Sequence, residues 1–182
     1  MSLFAVIDTE TTWSDRVMSI GIVLAQPDFR AAEQRYYILD PEYREGGMFS
    51  AALIPDQQVQ PRICSRQQAM GELRELLSFA GVTDIFAYNA GFDRRHLPEL
   101  KDFCWYDIMR IAAYRQTNPF LPPCGEYCST GKLKRGYGVE DMLRLLSRDR
   151  SYRESHNALY DAVDELRIMR LLGRPAREYI PL

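Results

Sequence analysis

The 182-residue chain has no strong charge of either sign. Its 23 basic and 25 acidic residues leave a net charge of -2 and a pI near 5.8. A basic coat for purely electrostatic nucleic-acid binding is therefore missing. A nuclease whose acids are offset by bound cations stays open. Apolar runs are strand-sized, so no segment is expected to span a membrane. No basic start followed by a long apolar stretch marks a secretory signal, and a cytoplasmic location is the expectation. The four cysteines, Cys64, Cys104, Cys124 and Cys128, form no disulfide framework, and reduced thiols are expected. Cys124 and Cys128 resemble half a zinc site whose other half is absent. Lysine is scarce, at 3 against 20 arginines. Arginine suits bidentate phosphate recognition, but genomic base composition accounts for the same bias.

What is present is a globular composition, 46% hydrophobic, with length for one domain, 1–182, and a real core. The apolar run Leu3-Phe4-Ala5-Val6-Ile7 reads as a buried strand. Residues 17–25 and 34–40 read as the second and third strands, and their short links predict an antiparallel meander. Residues 41–61, with Gly46, Gly47 and three prolines, read as a loop containing a short helical turn. Ala69, Met70, Leu73, Leu76, Leu77 and Ala80 give helical spacing over 66–80, ended by Gly81. A short strand at 84–88 follows, which suggests a crossover onto a parallel partner. Asn89 is expected to cap the next helix, limited by Pro98. Residues 103–106 read as a fifth strand, and Asp107 opens a helix to about 115. Residues 117–138 are rich in Pro, Gly and Cys and carry Lys132, Lys134 and Arg135. They are expected to be the longest irregular and most mobile segment, bordering a substrate path. Residues 139–146 and 157–172 read as the last helices. Internal repeats, low-complexity tracts and linkers are not apparent.

The chemistry gathers around Asp8-Thr9-Glu10 at the end of the first strand. In an extended chain, residues two apart point to the same side. Asp8 and Glu10 would then aim at one spot, where burial sharpens their repulsion. A divalent cation relieves it; a plain acidic turn is the alternative. Asp93 lies just past the fourth strand, and Asp161 near the start of the last helix. His156 precedes Asp161 by five residues, about 140° apart if both were helical. With Asn157 as N-cap, His156 sits in the entering loop and can swing toward Asp161. Asp161 then lies in the first helical turn, where the dipole favours an anion. The other histidine, His96, follows Arg94-Arg95 and is expected to face solvent. Taken singly, each acid has a bland reading as a helix-start or helix-surface residue.

Taken in order, three motifs are specific. Asp8-Thr9-Glu10-Thr11-Thr12 follows a strand, Asn89-Ala90-Gly91-Phe92-Asp93 follows another, and His156 is separated by four residues from Asp161 and its neighbour Ala162. The set resembles the DEDDh branch of the 3′→5′ exonuclease family, which includes proofreading subunits of bacterial replicative polymerases, ribonuclease T and oligoribonuclease. Asp107 after an apolar strand matches as well, and the resemblance covers 3–172. It departs at Trp13, where members often have Gly, and at Tyr88, where many have His. It implies an α/β, ribonuclease-H-like fold: a mixed five-stranded sheet with helices on both faces. It further implies that Asp8, Glu10, Asp93 and Asp161 hold two divalent cations, Mg²⁺ or Mn²⁺, in a two-metal-ion mechanism with His156 as general base. The product would be a nucleoside 5′-monophosphate from the 3′ end of single-stranded DNA or RNA. Thr11, Thr12, Trp13, Asn89 and Phe92 are the expected substrate contacts. Any polymerase partner is expected to be held non-covalently, because no linker or extra domain follows. The rival readings are a non-catalytic nucleic-acid or polymerase interaction module on the same fold, and a different metal-dependent phosphoesterase.

Overall fold

The first three strands of the computed structural model, which describes residues 2–54 and 60–182, are β1 (Phe4–Thr11), β2 (Val17–Ala25) and β3 (Ala31–Leu39). They form the expected antiparallel meander, with Val6 opposite Val23 and Ser19 opposite Ile38. β1 carries alternate residues into two different cores, which is why its sequence is apolar without alternation. It also runs beyond the apolar stretch. Pairing with β2 continues through Asp8 and Glu10, and the register shifts only between Glu10 and Thr11. The motif acids are thus fixed on a strand rather than placed in a turn.

Three further strands complete the sheet: β4 (Arg62–Cys64), β5 (Asp84–Ala87) and β6 (Cys104–Asp107). The order is β4-β3-β2-β1-β5-β6, with β5 parallel to β1, β6 parallel to β5 and β4 parallel to β3. Among the described residues the sheet has six strands, not five. β4 is three residues long, with Arg62 and Ile63 exposed, so it carries no readable periodicity. Backbone pairing to Tyr37, Ile38 and Leu39 makes it a strand. The expected 41–61 loop contains two 3-10 turns, Glu42–Glu45 and Ser50–Ala52. Its residues 55–59 lie outside the described residues.

Helices cover both faces. α1 (Arg66–Phe79) starts at a capping box of Ser65 and Gln68 and places Leu73 and Leu77 in one core with Ile7 and Ile20. α2 (Gly91–His96) and α3 (Met109–Ala112) are short. α4 (Val139–Ser147) and α5 (Ala158–Leu172) cover the opposite face, with Leu143, Leu159 and Leu166 in one core with Phe4, Val6 and Met18. Each such side chain contributes ~1.5–3 kcal/mol by leaving water. α5 lies directly on β2 at Gly21, where an added Cβ would stand 2.1 Å from the Ala158 carbonyl oxygen.

Two local expectations change. Asn89 does not cap α2; it takes a left-handed φ of 63°, and Ala90 occupies the N-cap position without a side-chain bond. The helix after Asp107 is four residues long rather than reaching 115. Asp107 Oδ1 accepts the Met109 N–H at 2.9 Å, but Tyr114 then leaves to bridge Lys132. That bridge ties the irregular 117–138 segment to the residues before it, and one between Tyr127 and Leu133 ties it internally. Among the described residues no helix is long and apolar enough to cross a membrane.

Candidate active site

Strand alternation on β1 puts Asp8 and Glu10 on the face shared with Phe4 and Val6, toward α5. Thr9 points the other way. Its hydroxyl donates to Asp93 Oδ1 at 2.7 Å, so Asp93 is fixed from the α2 side while lying beside Asp8. Asp161 arrives from above in the first turn of α5. That turn is fixed by Asn157, whose Oδ1 accepts the Leu159 and Tyr160 N–H groups at 3.2 and 3.3 Å. The same side chain donates through Nδ2 to the Ala52 carbonyl at 2.7 Å and to the Tyr36 hydroxyl at 3.0 Å. His156, one residue earlier, has a left-handed φ of 53°. A ring nitrogen of His156 and carboxylate oxygens of Glu10 and Asp161 all lie within 4.8 Å of one another. Ligands of one octahedral ion with ~2.1 Å bonds stand ~3–4 Å apart, so a group within 4.8 Å could close on a metal ion with a small shift. It contains no cysteine. Cys64 is buried, and Cys104, Cys124 and Cys128 are exposed free thiols.

The site is acidic and largely withdrawn from solvent. Burial, then Glu154 and Glu10, pushes the Asp161 carboxyl up to about 8. Burial, then Glu154 and Asp93, pushes Glu10 to about 8. Asp93 is raised to about 7 by burial, against the stabilising Thr9 hydrogen bond. Asp8 is held well above the carboxylate range by burial first, then by Asp93, Glu165, Asp161 and Glu10. A bound cation would reverse this balance. The residues fit such an ion. Asp8 Oδ2 and Glu165 Oε2 are buried without a hydrogen-bond partner among the described residues, and an oxygen-rich donor set suits Mg²⁺ or Mn²⁺.

Glu165 and Glu154 were not singled out by sequence. Glu165 lies one helical turn beyond Asp161, on the same face, and is 1% exposed. That i, i+4 spacing was a usable signal, masked by the apolar stripe around it. Glu154 stands two residues before His156, and nothing in its spacing marks it. Phe49 also escaped notice. Its ring stacks on His156 with centroids 4.0 Å apart and planes 17° from parallel.

The expected substrate contacts are spread around this centre. Trp13 is 70% exposed, with its N–H on the Gly46 carbonyl at 3.0 Å. Thr11 is half-buried at the end of β1. Thr12 is buried, its hydroxyl accepting the Arg16 N–H at 3.3 Å. Asn89 is exposed, and its N–H donates to Asp107 Oδ1 at 3.0 Å. Phe92 is half-buried, its ring centroid 4.2 Å from that of His96. His96 does not face solvent as expected. It is buried, with Nδ1 2.9 Å from the Phe92 carbonyl and Nε2 3.1 Å from Asp15 Oδ1. Near the end of β5, the Tyr88 hydroxyl donates to the Tyr137 carbonyl, and Lys132 Nζ sits 3.9 Å over the Tyr137 ring. A cavity of about 270 Å³ opens there, lined by Tyr88, Asn89, Met109, Lys132, Tyr137 and Gly138.

Neither a family model nor a curated protein sequence matches the chain. Among solved structures it is similar to a moderately thermophilic exonuclease I from Methylocaldum szegediense, with a TM-score of 0.61 and 16% identity. The match covers 98% of this chain and 42% of that protein. At that identity the likeness defines a fold. The chain has the ribonuclease-H-like architecture of that exonuclease and spans less than half of its length.

Proposed function

We propose that the chain is a metal-dependent 3′→5′ exonuclease of the DEDDh type. It would release nucleoside 5′-monophosphates from the 3′ end of single-stranded DNA or RNA. The observation that carries the reading is the convergence of a His156 ring nitrogen with carboxylates of Glu10 and Asp161 inside 4.8 Å. Half-buried Asp8, with its Oδ2 out of solvent, and buried Asp93 complete the four acids. Likeness in fold to an exonuclease I supports the same class.

Asp8, Glu10, Asp93 and Asp161 would hold the divalent ions. When bound, such ions supply Lewis acidity and positive charge at a phosphoryl group. The protein's own residues do the rest. His156 accepts a proton from the attacking water at its ring nitrogen, as the general base. Asn157 fixes the start of α5, and with it Asp161. Thr9 holds Asp93 at the end of the sheet. Exposed Trp13 offers a face on which a terminal base stacks. Lys132, Lys134 and Arg135 supply positive charge for the backbone of the incoming strand.

The test is product identity. A 3′-end-labelled single strand with Mn²⁺ should yield labelled nucleoside 5′-monophosphate as its first product, and none in chelator. Labelled oligonucleotides as first products would mean internal cleavage and another phosphoesterase class. Mn²⁺ binding without hydrolysis of any DNA or RNA strand would favour the non-catalytic module.

A further inference from the structure

His156 is held on an unusual backbone, because a left-handed φ of 53° is uncommon for a residue with a side chain. The face of its imidazole carries a partner, the ring of Phe49 at 4.0 Å and 17°. This stack leaves the ring edge free, and a ring nitrogen at that edge lies within 4.8 Å of Glu10 and Asp161. An aromatic plate against one face limits rotation of the imidazole about its bond to the chain without taking its nitrogens.

Phe49 is itself placed by contacts to both halves of the site. Gly47 packs so tightly on the end of β1 that a Cβ there would stand 2.3 Å from the Thr11 carbonyl oxygen. The Gly46 carbonyl accepts the Trp13 N–H at 3.0 Å. On the far side of Phe49, the Ala52 carbonyl accepts Asn157 Nδ2 at 2.7 Å, and the Leu53 carbonyl accepts the Tyr36 hydroxyl at 2.9 Å. The segment around Phe49 therefore runs from the Asp8–Glu10 strand to the cap of the helix that carries Asp161. Asn157 is the residue next to His156. One loop thus ties the first motif to the third and lays an aromatic ring on the residue between them.

We propose that Phe49 is the positioning residue of His156: its ring sets the orientation of the imidazole and so the reach of the base. The inference rests on the reading of His156 as general base. Misplacing a reacting group by ~1 Å costs up to ~10²-fold in rate. Phe49→Leu, which keeps an apolar side chain but removes the plate, should lower kcat by ~10–10²-fold with little change in KM. Phe49→Tyr, which keeps the ring, should recover most of that loss.

The experiment is a double-mutant cycle in single-turnover hydrolysis, read beside the histidine ring resonances of the metal-free protein. The chain has only two histidines, His96 and His156. His156→Ala therefore assigns both. In Phe49→Leu the His156 ring protons should lose the ring-current shift of the stack while those of His96 stay put. That spectrum also shows that the variant is folded. The proposal expects Phe49→Leu to cost nothing further in the His156→Ala background. Losses that multiply in the double variant, a loss confined to KM, or unmoved His156 resonances would each overturn it. A wild-type rate for His156→Ala alone is a different result. It would remove the base itself, and the positioning of a base with it.

Discussion

Asp161→Asn should raise the stability of the metal-free protein and remove its response to metal. Asp161 is 4% exposed, and burial with Glu154 and Glu10 lifts its carboxyl from an ordinary 3.8 to about 8. An acid raised in this way binds its proton more tightly in the fold than in the unfolded chain. Between pH 3.8 and about 8 the folded protein therefore holds more protons, and its stability falls as pH rises through that window. The full rise corresponds to an upper bound of ~5 kcal/mol at pH 8. Glu10 and Asp93 share the same repulsion, so removing one charge should return ~1–3 kcal/mol. For a chain of this size that is a melting point ~3–10 °C higher in chelator at pH 8. At pH 5 the gain should shrink, because Asp161 is already protonated in the fold. Mn²⁺ should then invert the order: the wild type gains stability by mass action, and the variant gains little. Thermal melting at pH 5 and pH 8, in chelator and in Mn²⁺, reads all four conditions. A variant that melts below wild type in chelator at pH 8, or that keeps the full Mn²⁺ shift, would refute the reasoning.

Four other perturbations probe separate parts of the site. His156→Ala should slow hydrolysis by ~10²–10⁴-fold while Mn²⁺ binding by calorimetry persists; an unaltered rate would exclude it as the base. Trp13→Ala should raise KM for single strands ~5–100-fold, the equivalent of one lost stacking contact, and an unmoved KM would take Trp13 out of the substrate path. Lys132→Gln, Lys134→Gln and Arg135→Gln together should weaken strand binding and flatten its log–log salt slope by ~2–3; the same slope as wild type would place that segment elsewhere. Gly21→Ala forces a Cβ toward the Ala158 carbonyl oxygen and should cost ~1–3 kcal/mol by overpacking. Because Ala158 opens the helix that carries Asp161, Mn²⁺ affinity should fall too, and a wild-type melting curve would mean that α5 does not rest there.

The sequence made the meander legible because β1, β2 and the second half of β3 are apolar and the three strands are joined by short turns. α5 was readable for a similar reason: Asn157 and the apolar stripe mark its start and buried face, and the cap forms as expected. β4 was invisible because three residues cannot display a period, and its pairing with β3 is a tertiary event. Asn89 misled because a residue that suits an N-cap also suits a left-handed turn, and the chain used the second property. His96 misled because flanking arginines suggest solvent, whereas its own ring turns inward to Asp15 and the Phe92 carbonyl. In the site, the two-residue spacing on a strand pointed to Asp8 and Glu10, and the resemblance in motif order to Asp93, Asp161 and His156. Glu165 is adjacent to them through a helical turn and was hidden by apolar neighbours. Phe49 reaches His156 only through the folded loop, a contact 107 positions apart in sequence that no local pattern encodes.

The central claim is that these acids and His156 degrade a strand from its free 3′ end. A 5′-labelled linear single strand and a covalently closed circle of the same sequence, each with Mn²⁺, test it together. The account predicts a ladder shortening stepwise from the linear strand, an intact circle, and no change to either in chelator. Cleavage of the circle at a rate comparable to the linear strand would contradict it.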